Sequence, residues 1–434
     1  MRILLTANAS YVPPRGGATR SNIVWLELLS AAGHECRIVA SELAHDRAGK
    51  IEQLRNEEIR TEAVEREPDD GVEVVRRGPI LVFSAADPVR RGQVLAEQVR
   101  EFRPDWVLVS SEDLGQVLLR EALHAAPGRV VYLAHTPQLF PFGPASWNPN
   151  PDGTELVRRA AAIVAIAQHT SDYIFRHAGR RPVVIHPPIY GSGPFANYGS
   201  SKGGMVTMIN PCAVKGIAIF LALARRFPKR GFGALPGWGT TAADRRALEA
   251  LPNVALLANV GSIEHVLRRT RVLLMPSLWY EGFGLSVMEA MLHGIPVITS
   301  DSGGLTEAKL GTRFVLPVRP IERYEPVFDE HGLPTPFTPE QDIEPWAEAL
   351  NALLTEPALY AEESATVHER AVRFVEGIEP RRMEKFLESL ASPAHEPPSV
   401  RDAASLHDEL ASLSPERRAL LLARLRKKSV QGSA

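Results

Sequence analysis

The residues best equipped for chemistry lie in one string, Pro276-Ser-Leu-Trp-Tyr-Glu281-Gly-Phe-Gly-Leu-Ser-Val-Met-Glu289-Ala-Met-Leu-His293-Gly294. Two carboxylates flank a Gly-Phe-Gly turn. The apolar run before Pro276 reads as a strand, and Gly282-Phe283-Gly284 opens a helix that Gly294 stops. Glycine lets backbone amides approach a ligand with no Cβ in the way. The free N–H groups and dipole of a helix start then make a seat for an anion such as phosphate. Glu281 falls in the loop before the helix and Glu289 about one and a half turns inside it. A carboxylate beside a phosphate seat is well placed to accept hydrogen bonds from hydroxyls that arrive neutral.

Other candidates are more dispersed. Arg15-Gly16-Gly17-Ala18 follows the first strand and opens the first helix. His135 ends the apolar run Val130 to Ala134. Lys215-Gly216 and Gly237-Trp238-Gly239 follow two later strands, and Gly303-Gly304 with Glu307 follows a third. No Asp-x-Asp pair sits at a strand end, and no His, Cys or carboxylate cluster has metal-ligand spacing. The sequence therefore assigns no metal site.

These residues are carried by two alternating series. Strands are expected at Ile3–Leu5, 37–40, 72–75, 80–83, 106–109, 130–134, 161–166 and 183–185, with a helix over 18–32. Residues 46–67 are charged and read as an exposed helix or loop. Residues 187–204, rich in Pro, Gly and Ser, read as a linker. A second series has strands at 205–209, 233–235, 254–257, 272–275 and 296–299, then a Pro-rich insertion at 317–345 and helices at 345–354 and 380–390. Continuous apolar strands between helices indicate parallel sheets covered on both faces. The expected fold class is α/β, with two doubly wound Rossmann-like halves facing across a cleft. The boundaries read as 1–190, 204–375, a helix in 376–395 crossing back to the first half, and a linker with a tail helix at 396–434. Ligands in such sheets bind beyond the carboxyl ends of the strands.

The 276–294 string resembles the Glu-x7-Glu signature of retaining glycosyltransferases of family 4, which have the GT-B architecture. The resemblance covers roughly residues 1–390. It implies an N-terminal acceptor-binding domain and a C-terminal nucleotide-sugar-binding domain. It places Glu281 against the donor sugar and Glu289 on the nucleotide ribose, with the amides of Phe283, Gly284 and Leu285 on the diphosphate. It aims the Gly16-Gly17 backbone at the donor phosphates and His135 at the donor sugar. Lys215 matches the lysine that binds the diphosphate. The family's arginine five residues earlier is Asn210 here, which has no charge and cannot form a bidentate phosphate clamp. Asn210 stays among the donor-binding candidates, and diphosphate contact then rests more on Lys215 and the helix start. The base is expected against Asn259-Val260-Gly261-Ser262. The donor would be a UDP- or GDP-linked sugar acting as substrate, with no cofactor and no metal.

The composition fits this reading. The chain has 434 residues, is 44% hydrophobic and carries a formal net charge of -2. Such a balance offers no global attraction for nucleic acid or an anionic membrane. No apolar run approaches the ~18 residues of a transmembrane helix, and Cys36 and Cys212 are too few for a disulfide framework. A cytoplasmic enzyme is expected. The tail Leu413-Ser-Pro-Glu-Arg-Arg-Ala-Leu-Leu-Leu-Ala-Arg424-Leu425 resembles a linker beside domains of nonribosomal peptide synthetases. That resemblance implies a small peptide or polyketide natural product as acceptor. The tail would serve an assembly-line partner or self-association. The competing readings are a transferase of cell-envelope lipid or polysaccharide, a catalytically silent GT-B scaffold, and an epimerase of the same architecture, which would lack the Glu-x7-Glu string.

Overall fold

The computed structural model describes residues 1–11, 16–41, 61–63, 71–200, 202–258 and 262–390. The 396–434 tail, Arg15, Asn259, Val260 and most of the 46–67 segment lie outside these residues. Within that segment Thr61–Ala63 forms a short strand.

The first sheet contains β1 (Arg2–Ser10), β2 (Glu35–Ser41), β3 (Thr61–Ala63), β4 (Val72–Arg77), β5 (Ile80–Ala85), β6 (Trp106–Ser110), β7 (Val130–Ala134), β8 (Ala162–Ala165) and β9 (Val183–Val184). Its nine strands run in the order β3-β4-β5-β2-β1-β6-β7-β8-β9. The second sheet contains β10 (Met205–Ile209), β11 (Phe232–Leu235), β12 (Val254–Leu256), β13 (Thr270–Met275), β14 (Val297–Ser300) and β15 (Val315–Leu316), in the order β12-β11-β10-β13-β14-β15. That is the Rossmann order, and all pairs of the second sheet are parallel. The wholly parallel expectation fails at one edge of the first sheet. There β4 pairs antiparallel with both β3 and β5, and Gly78 turns β4 straight back into β5 at a positive φ of 56°.

The central strands are apolar throughout because both faces are covered. β6, β7, β8, β13 and β14 are buried along their whole length. Each fully buried Leu, Ile or Val stabilises by roughly 1.5–3 kcal/mol relative to exposure. One core cluster joins both sheets: Ile3, Leu5, Trp25 and Leu108 belong to it together with Phe283, Met288, Val367, Ala371, Met383 and Leu387. The last three helices, Glu344–Thr355, Pro357–Glu376 and Arg382–Ser389, close the second sheet and return to the first. Glu384 on the last of them receives His34 Nε2 at 3.2 Å from the first sheet's side.

Pro357–Glu376 is the longest helix among the described residues, and the sequence pattern does not single it out. Its buried positions, Tyr360, Glu363, Ser364, Val367, Ala371 and Val375, keep helical spacing but include two polar residues. The 317–345 insertion contains an antiparallel hairpin, Tyr324–Phe328 with Pro334–Pro336. The alternation that marks a hairpin is masked there by four exposed positions in the first strand. Among the described residues no helix is long and apolar enough to cross a membrane.

Candidate active site between the two sheets

Both sheets reverse strand order at one point, between β1 and β6 and between β10 and β13. The candidate residues lie beyond the carboxyl ends of those strands. Gly16 and Gly17 follow β1, Asn210 follows β10, and the 276–284 loop follows β13.

The 276–284 loop is held by the 300–304 segment that follows β14. Ser300 donates to the Ser277 carbonyl at 2.7 Å and Ser302 to the Trp279 carbonyl at 2.6 Å. Gly303 pairs with Glu281 as an isolated bridge, and Gly304 N–H donates to the Glu281 carbonyl at 2.8 Å. A Cβ on Gly304 would fall 2.4 Å from the Gly282 carbonyl oxygen, so this Gly-Gly pair exists for close backbone approach. Gly284 then turns the chain at φ 114° into the helix Leu285–Leu292. The Phe283 ring points into the core, stacked on Phe374.

Within this frame Glu281 is 8% exposed and Lys215 7% exposed. Lys215 Nζ stands 2.5 Å from Glu281 Oε1, and the Trp279 indole N–H donates to the same oxygen at 2.9 Å. The Ser277 hydroxyl donates there too. The Lys215 ammonium also lies 4.5 Å from the centroid of the Trp279 ring, a cation–π contact. Trp279 in turn neighbours Trp147 of the first sheet's side at 6.0 Å and Trp238 at 5.5 Å, and Tyr324 of the hairpin sits 5.8 Å from Trp147. The insertion thus borders the lysine through an aromatic wall.

Asn210 also has a structural task. It sits at φ 54°, a left-handed conformation that asparagine tolerates better than arginine. Its Oδ1 accepts from Gly239 N–H at 2.9 Å, and a Cβ on Gly237 would meet that oxygen at 2.6 Å. Asn210 therefore fastens the Gly237–Gly239 turn. The next helix locks the same turn with a capping box of Thr241 and Asp244. Asn210 Nδ2 is buried without a partner among the described residues.

The two halves meet closely. The His135 carbonyl oxygen lies 2.2 Å from where a Cβ of Gly282 would stand, and Leu285 fills the equivalent space at Gly17 at 2.6 Å. His135 is 2% exposed, and burial pushes its imidazole down to about 3. Asn22 donates through Nδ2 to Ser110, so its Oδ1 is the acceptor for His135 Nε2 at 2.9 Å. The ring is then neutral with Nε2 protonated. Its Nδ1 lone pair is buried and unmatched among the described residues.

Residues 15–190 match the family model Glycosyltransferase Family 4, and residues 205–356 match Glycosyl transferases group 1. Both halves of the chain are glycosyltransferase domains. No curated protein sequence matches the chain. Among solved structures, a glycosyltransferase from Rickettsia africae superposes at a TM-score of 0.59 with 12% identity, over 91% of this chain and 99% of that one. Anabaena HepE in complex with UDP-glucose gives 0.59 and 17%, over 90% and 100%. A Staphylococcus aureus TarM variant in complex with fondaparinux, alpha-GlcNAc-glycerol and UDP gives 0.60 and 11%, over 89% and 99%. At these identities the likeness is one of fold, the GT-B fold.

Several contacts of this glycosyltransferase cleft carry no signal in the sequence. Glu307, expected only as part of a Gly-Gly-x-x-Glu pattern, caps a helix of the other domain. Its carboxylate accepts Gln168 N–H at 2.9 Å and His169 N–H at 2.8 Å. The Tyr280 hydroxyl lies against the same helix start, 2.6 Å from His169 Nδ1. Glu289 is paired with Arg20 across the cleft at 2.9 Å. Glu112, two residues past β6, has Oε2 buried without a partner among the described residues, and burial pushes its carboxyl up to about 7.

One negative expectation changes. The fold brings His34, Glu384 and Glu388 within 4.8 Å of one another, a grouping that no local spacing could reveal. Arg381 already holds Glu384 through Nε and, at 2.7 Å, through Nη2. The group lies at the start of β2, at the amino-terminal edge of the first sheet and away from the cleft.

Proposed function

We propose that this protein is a retaining glycosyltransferase that moves a sugar from a UDP- or GDP-linked donor to a small acceptor hydroxyl. The observation that carries the reading is the buried Lys215–Glu281 pair beside a glycine-opened helix start, in the cleft between two glycosyltransferase domains. The diphosphate would lie on the amides of Phe283, Gly284 and Leu285, with Lys215 as its counter-charge. Glu281 would accept hydroxyls of the transferred sugar and Glu289 those of the ribose. Neutral His135 offers Nδ1 as an acceptor to a further hydroxyl. Such fixed dipoles and charges stabilise the developing negative charge without reorganising.

In the step itself, the acceptor oxygen bonds to the anomeric carbon on the face that the leaving group departs. The anomeric carbon–phosphate oxygen bond breaks. The acceptor proton passes to the departing phosphate oxygen, so no enzyme nucleophile is needed. Lysine and amides would meet the diphosphate charge, and activity is expected to survive EDTA. The acceptor of first choice is a peptide or polyketide natural product, on the strength of the tail's resemblance to synthetase linkers. A lipid-linked acceptor is the second reading, favoured by Val327, Phe328 and Phe337, which stand exposed in and beside the hairpin. The test is proton NMR of the product formed in EDTA. The donor's anomeric configuration should persist, and inversion, or activity that needs added magnesium or manganese, refutes the mechanism.

A further inference from the structure

We infer that Arg20 supplies the second cation for the donor diphosphate, the charge that Asn210 does not provide. The inference rests on the donor reading above and names a binding residue for it. Two helices begin at the same place in the cleft. Gly16 opens Gly16–Ala31 at φ 76°, and Gly284 opens Leu285–Leu292 at φ 114°. The starts touch, since Leu285 Cδ1 occupies the space beside Gly17. Both positive dipole ends therefore serve one locus.

Arg20 and Glu289 each sit about one turn into their helices and meet at 2.9 Å. Helical side chains lean back toward the amino terminus, so both lie over the converging starts. Arg20 is 46% exposed on its side chain, whereas Glu289 is 12% exposed. A guanidinium has five N–H donors in a planar fork. Arg20 uses Nη2 on Glu289 Oε1 and makes no other hydrogen bond among the described residues. Its remaining donors are free for phosphate oxygens while the ion pair persists, and Glu289 Oε2 is left for the ribose. Tyr190 feels the same pair. Its hydroxyl is buried with no partner among the described residues, and the charges of Glu289 and Arg20 both act on it. Asn210 brings no charge to the task, and its Oδ1 is committed to Gly239.

The test titrates the full-length protein with UDP and uridine, and in parallel with GDP and guanosine. Arg20→Gln keeps the length and can still hydrogen-bond Glu289, but carries no charge. It should weaken the bound diphosphate about 30-fold, as expected for a lost charge-assisted bond, while nucleoside affinity stays within about twofold. Arg20→Lys should remain within about fivefold of the native protein, because it restores the charge. The inference is overturned if Arg20→Gln weakens diphosphate and nucleoside equally, which marks a structural or ribose role, or leaves the diphosphate unaffected. If the native protein binds neither UDP nor GDP, the donor reading falls, and this inference falls with it.

Discussion

The Lys215 ammonium is 2.5 Å from Glu281 Oε1, and both side chains are buried. Removing either partner leaves the other charge stranded, at a cost of about 3–5 kcal/mol in a buried pair. Glu281→Gln and Lys215→Met should each lower turnover about 100-fold, as for loss of one preorganised charge at a reacting centre. Each should also melt earlier than the native protein. The double variant should regain part of the stability and none of the activity. Near-native turnover in either single variant would remove that residue from the site.

Glu289→Ala should act on donor affinity. Ribose contacts are similar in ground and transition states, so KM rises while kcat changes little. Steady-state kinetics with varied donor decide it. A fall in kcat at unchanged KM would place Glu289 at the reacting centre.

Gly282→Ala should hold the domains apart, because the new Cβ would lie 2.2 Å from the His135 carbonyl oxygen. The strands and helices within each domain are untouched, so circular dichroism should be unchanged. Turnover should fall at least about tenfold, in line with the sensitivity of catalysis to misplacement of roughly 1 Å. Small-angle scattering should show a larger radius of gyration. Native turnover and an unchanged radius would show that the close approach is not needed.

Glu112 predicts a pH-dependent stability. Burial raises its folded value from 4.5 to about 7, so the folded state holds a proton that the unfolded state has already lost. Its contribution is fully present below about pH 4.5 and declines as pH rises toward 7. Glu112→Gln removes this loss. The variant should match the native protein at pH 4.5 and exceed it at pH 8, by at most about 3 kcal/mol. Denaturant melts at the two pH values measure it. An equal difference at both would mean that the carboxyl is not buried as described.

Much of the frame was legible in the residues. The strands of both sheets other than β3 and β15 announce themselves as apolar runs, and the Gly282–Gly284 turn places Glu281 before a helix that ends at His293 and Gly294. Lys215 and Glu281 were each singled out, but their pairing was not, because a contact between residues on separate loops leaves no periodicity in the chain. Arg20 looks like any exposed arginine on a helix, and its meaning comes from a partner contributed by the other domain. Glu307 illustrates the same limit: it reads as a local helix-start residue, yet it caps Gln168 and His169 across the cleft. Asn210 was visible as a departure from the family pattern. The reason for it, a left-handed turn fastening Gly239, is a three-dimensional fact.

The central claim is that the cleft is a nucleoside-diphosphate-sugar site, and thermal melting with a panel of UDP- and GDP-sugars tests it most directly. A ligand that binds only the folded state, present at 100 times its dissociation constant, stabilises by about 2.7 kcal/mol. At least one donor should therefore raise the melting temperature by a few degrees in the native protein, and the shift should be largely lost in Lys215→Met. No shift with any member of the panel, or an equal shift in Lys215→Met, would contradict the account.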